Sequence, residues 1–127
     1  MHRAARLFVG TITVVALAAC GSGAATGAPG AGAGAACAKS SAAGTVKAGV
    51  ADFAFAPSTV TAKVGDVITW TNGGPASHTV TVDNAPACDT GAIASGSTGS
   101  LTFSAAGSYP FHCSIHSSMK GTITISG

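Results

Sequence analysis

The chain has 127 residues, six Lys+Arg, four Asp, no Glu and a formal net charge of +2. This length holds one ordinary domain and excludes a large multidomain enzyme. With 8% charged residues, a basic stripe for nucleic acid and an acidic solvating tail are both excluded.

The first segment reads as an address. Arg3 and Arg6 precede Leu7 to Ala19, thirteen mostly apolar residues without a charge. A helix of that length is short of the ~20 residues needed to span a bilayer core. A basic start and a short apolar stretch predict an export signal over 1–19. It ends Leu17-Ala18-Ala19-Cys20, which resembles the lipobox of bacterial lipoproteins. The resemblance implies a lipid on the Cys20 sulfur and a mature N-terminus at Cys20. Acyl chains such as palmitate, at about 0.8 kcal/mol per buried CH₂, would then anchor the exported protein to a membrane, facing the periplasm or the exterior. Ordinary cleavage after an Ala-x-Ala-like site, with Cys20 incidental, is the alternative. From residue 20 onward four Lys balance four Asp, so the +2 belongs to the signal.

Residues 20–36 include 13 Gly or Ala among 17, with Pro29. They predict a flexible tether with a reach of roughly 20–25 Å.

Residues 37–127 predict one all-β domain. No window shows a sustained helical period, and period-2 runs rich in Val, Ile, Thr and aromatics recur. Val60, Ala62 and Val64 alternate with Thr59, Thr61 and Lys63. Ile68 and Trp70 share a face over Asp66 to Thr71. His78 to Val82 alternates, as do Leu101 with Phe103, Tyr109 with Phe111 and Cys113, and Ile123 with Ile125. Val64-Gly65-Asp66, Asn72-Gly73-Gly74-Pro75, Asp83-Asn84 and Ala106-Gly107 punctuate the runs. Short strands at such spacing predict a sandwich or barrel. Pro110 inside a strand predicts an edge position or an unpaired amide.

The last third carries Cys113-Ser114-Ile115-His116-Ser117-Ser118-Met119, a Cys-x-x-His-x-x-Met run between two strands. A tight loop aims thiolate, imidazole and thioether at one centre. His78, at the start of a strand, supplies a second imidazole. Two imidazoles, one thiolate and a weak axial thioether form the ligand set of blue copper. Strand geometry argues against His112 as a further ligand, because adjacent strand residues point to opposite faces.

Two stretches resemble the cupredoxins, especially their plastocyanin and amicyanin branch. One is Phe55-Ala56-Pro57 with Val64-Gly65-Asp66-Val67-Ile68-Thr69-Trp70-Thr71-Asn72 and Ser77-His78-Thr79-Val80. The other runs from Gly107-Ser108-Tyr109-Pro110-Phe111-His112-Cys113 to Met119-Lys120-Gly121. The two-residue gap between His116 and Met119 is similar to the short amicyanin loop. The resemblance implies a Greek-key β-sandwich of about eight strands, one copper per chain and one-electron transfer. It also implies that His116 is the electron port, its ring edge amid Pro75, Ala76 and Ile115. Thr79 stands where many members have an Asn that braces the ligand loop.

With Cys20 assigned to lipid and Cys113 to copper, Cys37 and Cys88 are left as an expected disulfide, which an exported setting permits; two separate thiols are the alternative. The expected function is a membrane-tethered electron carrier, a monomer that docks redox partner proteins transiently near His116. A copper protein for scavenging, storage or delivery would use the same ligands. A Zn site would use Cys and two His but gain nothing from Met119. No catalytic triad, spare histidine for a second copper or phosphate loop is present, so an enzyme is not expected.

Overall fold

The computed structural model describes residues 36–127. The predicted signal, Cys20 and the tether up to residue 35 lie outside the described residues. Those residues form nine strands: β1 (Cys37–Ser40), β2 (Val46–Ala51), β3 (Ala54–Ala56), β4 (Thr59–Lys63), β5 (Val67–Asn72), β6 (Thr81–Val82), β7 (Thr98–Phe103), β8 (Gly107–His112) and β9 (Lys120–Ser126). They build two sheets, ordered β1-β7-β5-β2-β3 and β4-β9-β8-β6. The expected all-β sandwich is therefore present, with one strand more than the eight anticipated.

Alternation drives the layering. In β4, Val60 and Ala62 are buried while Thr59, Thr61 and Lys63 are exposed. The parallel register of β4 on β9 sets Val60 beside Ile123 and Ala62 beside Ile125, so all four enter the core. Ile68 and Trp70 of β5 meet them from the other sheet, both fully buried. Phe111 is the core's central ring, with Phe55 at 4.7 Å and Trp70 at 5.9 Å, both edge-on. Gly121 lies opposite it in the ladder. A Cβ there would come within 2.4 Å of the Phe111 ring, so only glycine lets β9 pass.

Pro110 meets its expectation in a specific way. It lies just beyond the two-residue ladder of β6 on β8, where its ring nitrogen has no N–H to give and its carbonyl accepts from Asp83 N at 2.8 Å.

One strand expectation is corrected. The run His78–Val82 yields a ladder only at Thr81–Val82, because Val80 N donates to the Thr90 hydroxyl at 3.0 Å instead of to a backbone carbonyl. His78 itself is held by a single bridge to Ile93. In addition, β1, β2 and β3 form from Ala- and Gly-containing segments without strong strand propensity. Neighbours recruit them: β2 runs parallel to β5, and β1 lies antiparallel to β7.

Cys37 at the start of β1 is disulfide-bonded to Cys88, with Cα atoms 5.6 Å apart. Cys113 is the one free cysteine among the described residues, and it is buried.

Candidate metal centre

Three loops converge at the end of the sandwich where β5 and β8 finish. The first follows β5 and delivers His78. Its organiser is Asn72, fully buried, whose amide donates to Ala76 O at 2.6 Å and Ile93 O at 2.8 Å. The Asn72 Oδ1 accepts from Gly74 N at 2.9 Å. His78 then exchanges backbone hydrogen bonds with Ile93, at 3.2 and 2.7 Å.

The second loop follows β8 and carries Cys113 and His116. It closes on itself, with Cys113 N donating to Met119 O at 3.0 Å and Met119 N donating to His116 O at 2.9 Å. Met119 is buried, 2% exposed, at the point where β9 begins. The third loop, between β2 and β3, sets Phe53 edge-on against His116, with ring centroids 5.3 Å apart.

His78, Cys113 and His116 come together. The two Nδ1 atoms lie 3.2 Å apart, and the Cys113 Sγ is 3.9 Å from each. A point equidistant from three atoms so spaced lies about 2.1 Å from each, the length of a metal–imidazole bond. His78 and Cys113 are fully buried and His116 is half-buried. These are soft and borderline donors facing one point, with no carboxylate among them. The set fits copper or zinc, and a thiolate with two imidazoles favours a metal that changes between a soft and a borderline state. His112 points elsewhere, with its Nδ1 2.5 Å from Asp83 Oδ1.

The family model described as "Cupredoxin-like domain" matches residues 11–125. The chain belongs to the cupredoxin-like family. A plastocyanin from Scenedesmus fuscus is 37% identical over 95 residues, spanning 64% of this chain and 97% of the relative. Among solved structures, an oxidised amicyanin variant is 25% identical with a TM-score of 0.65, over 72% of this chain and 99% of that one. A Cu(I) form of another amicyanin variant is 28% identical with a TM-score of 0.59, over 67% and 85% of the two chains.

In this cupredoxin-like chain Thr79 ties the ligand loop to the sandwich. Its hydroxyl accepts from Ser114 N at 2.7 Å, and its own N–H donates to Cys113 Sγ at 3.3 Å. Beyond it, Thr79 Oγ1 meets Thr81 Oγ1 at 2.9 Å, and Thr81 donates to Asp89 Oδ2 at 2.8 Å. A carboxylate only accepts, so the order of donation is fixed: Thr79 gives its proton to Thr81, and Ser114 Oγ, 3.0 Å away, gives its own to Thr79. Sequence reasoning missed Thr81 and Asp89, and also Phe53. Exposed Ile115 and Pro75 and half-buried Ala76 were anticipated near His116. Phe53, 67% exposed and edge-on to its ring, was not. A single Phe in a two-residue turn carries no periodic signal.

Proposed function

We propose that this protein is a one-electron carrier whose copper is held by His78, Cys113, His116 and Met119. The observation that carries the reading is the convergence of one buried thiolate and two imidazole nitrogens on a point at metal-bond distance. Copper supplies the electron by passing between Cu(I) and Cu(II). The chain supplies a site that suits both states and keeps its shape. Cys113 receives the Thr79 N–H, which partly neutralises its charge, and the loop is pinned at Ser114. A braced donor set lowers the rearrangement that electron transfer requires.

Burial favours carriage over storage or delivery. His78 and Cys113 are inaccessible, so an acceptor of the ion has no free donor to displace. His116 is the half-buried edge through which the electron passes. Phe53 and Ile115 beside it are among the large apolar side chains left exposed. Four Lys and four Asp after residue 19 leave no net charge for steering, so redox partner proteins dock briefly through apolar contact, with the carrier a monomer.

The remainder of the proposal concerns location. Residues 1–19 direct export, Cys20 carries lipid, 20–36 form the tether and 37–127 the domain. The register supports this layout. Cys37 pairs with Phe103, at the end of β7 opposite to Thr98, whereas the His78 loop leaves from Asn72 at the Thr98 end. The tether thus joins the domain away from the electron port. Cys20→Ser should release the protein from membranes, and mass spectrometry of the mature wild type should show acyl chains on residue 20.

The test of the centre is the visible spectrum of the purified protein with one equivalent of Cu(II). An intense thiolate-to-copper band is expected, lost when a one-electron reductant takes Cu(II) to Cu(I) and regained on oxidation. A colourless Cu(II) complex would overturn the centre. A coloured protein that exchanges no electrons with redox proteins yet surrenders its copper would establish delivery instead.

A further inference from the structure

His78 turns Nδ1 toward Cys113 and His116, so its other nitrogen, Nε2, faces away from the donor point. That nitrogen is buried and has no hydrogen-bond partner. An imidazole that gives Nδ1 to a metal carries its proton on Nε2. A buried N–H without an acceptor is costly.

One carboxylate lies within reach. Asp52 Oδ1 stands 3.9 Å from His78 Nε2, about 1 Å beyond hydrogen-bond length. Asp52 occupies the turn between β2 and β3, next to Phe53, whose φ of 66° places a non-glycine residue in the left-handed region. Across from it, a Cβ on Gly74 would lie 2.4 Å from Asp52 Oδ1 and 3.0 Å from its amide N. The bare glycine therefore leaves open the space in which this carboxylate sits. Asn72 holds Gly74 there, through the hydrogen bond from its N–H.

We propose that Asp52 is a positioning residue of the metal centre: its carboxylate accepts the Nε2–H of His78, holds the ring in the ligating tautomer, and biases the centre toward Cu(II). The proposal rests on the copper reading above. A carboxylate partner raises the basicity of a ligating imidazole, and a more basic donor stabilises Cu(II) over Cu(I). The same turn presses Phe53 on His116, so one two-residue turn reaches both imidazoles from outside the donor set.

The experiment compares wild type with Asp52→Ala, Asp52→Asn, Gly74→Ala and the Asp52→Ala/Gly74→Ala pair. The first readout needs no metal: the exchange rate of the His78 Nε2 proton, followed by nitrogen-15 NMR on the copper-free protein. A protected proton in wild type and faster exchange in Asp52→Ala are expected. The second readout is the reduction potential of the copper-loaded protein. Asp52→Ala should weaken Cu(II) relative to Cu(I) about tenfold, an upward shift of about 59 mV. Asp52→Asn, which keeps an acceptor without the charge, should fall between. Gly74→Ala should match Asp52→Ala, and the pair should add nothing to either.

An Asp52→Ala potential within about twofold of wild type in affinity ratio, against the tenfold expected for an outer partner, would overturn the role. So would equal proton exchange in both proteins, or full additivity with Gly74→Ala. A wild type without the thiolate-to-copper band would overturn the copper reading alone, since proton exchange judges the Asp52–His78 contact by itself.

Discussion

The proposed donors come from two regions held in opposite ways. Cys113, His116 and Met119 belong to a loop closed by its own backbone, through Cys113 N to Met119 O and Met119 N to His116 O. His78 is seated by remote groups: the Asn72 side chain, the Ile93 bridge and the segment that returns from Cys88. A self-closing loop keeps its geometry wherever its two strands hold. A histidine seated from afar keeps its place only while each distant partner does. The two halves should therefore fail under different insults.

The largest effect is expected inside the loop. Cys113→Ser removes the thiolate, and the charge-transfer band of the copper-loaded protein should disappear entirely. A band that persists would mean that the sulfur is not a donor, and the contrast between the regions would lose its first member.

Next in size is the loss of the Cys37–Cys88 bridge. It closes a sequence separation of 51 residues, and a loop of that length corresponds to about 4 kcal/mol in the chain-entropy account. Urea unfolding of the copper-free Cys37→Ala/Cys88→Ala protein should show that loss. The copper-loaded variant in native buffer should keep an intense band, because the 113–119 loop that holds Cys113 makes no use of the bridge, while copper affinity falls through the weakened seat of His78. Loss of the band itself would break the separation of the two regions.

Asn72→Ala attacks the seat of His78 directly. It removes two donors and one acceptor that serve Ala76, Ile93 and Gly74 in a buried site. About 3 kcal/mol of stability should be lost, with copper affinity down about tenfold. Equilibrium unfolding and competitive copper titration measure the two quantities. Asn72→Asp sharpens the result, since it keeps the acceptor for Gly74 and discards both donors.

The same contrast explains what could be read in the sequence. Cys113, His116 and Met119 were legible because spacing within one short loop dictates proximity. Strands β4 and β9 were legible because Val, Ala and Ile alternate with Thr there, and β5, β7 and β8 because Ile68 with Trp70, Leu101 with Phe103, and Phe111 recur on one face and entered the core. The first three strands were not, since Ala48 and Gly49 acquire their strand character from lying along β5. The early end of the His78 run was misjudged because Thr90, ten residues on, takes the Val80 amide with a side chain. Phe53, Asp52, Thr81 and Asp89 reach the site through a turn and a hydroxyl chain, neither of which has a period.

The smallest predicted effect lies where the two regions touch. Thr79 is the residue after His78, yet its hydroxyl holds Ser114, the residue after Cys113. Thr79 can accept from Ser114 with both lone pairs because its own proton goes to Thr81, whose proton goes to Asp89. Thr81→Val removes that receiver without changing the shape of the side chain much. The Thr79 hydroxyl must then find another acceptor, and the obvious one is Ser114 Oγ, which reverses one of the two bonds pinning the ligand loop. The cost to stability should be about 1 kcal/mol. The visible band should shift slightly while keeping its intensity, because Cys113 stays bound but the loop that aims it is held by one accepting bond fewer. Thr81→Ser, which restores the receiver, should bring the band back. If Thr81→Val changes stability alone and leaves the band in place, the join between the regions ends at Thr79.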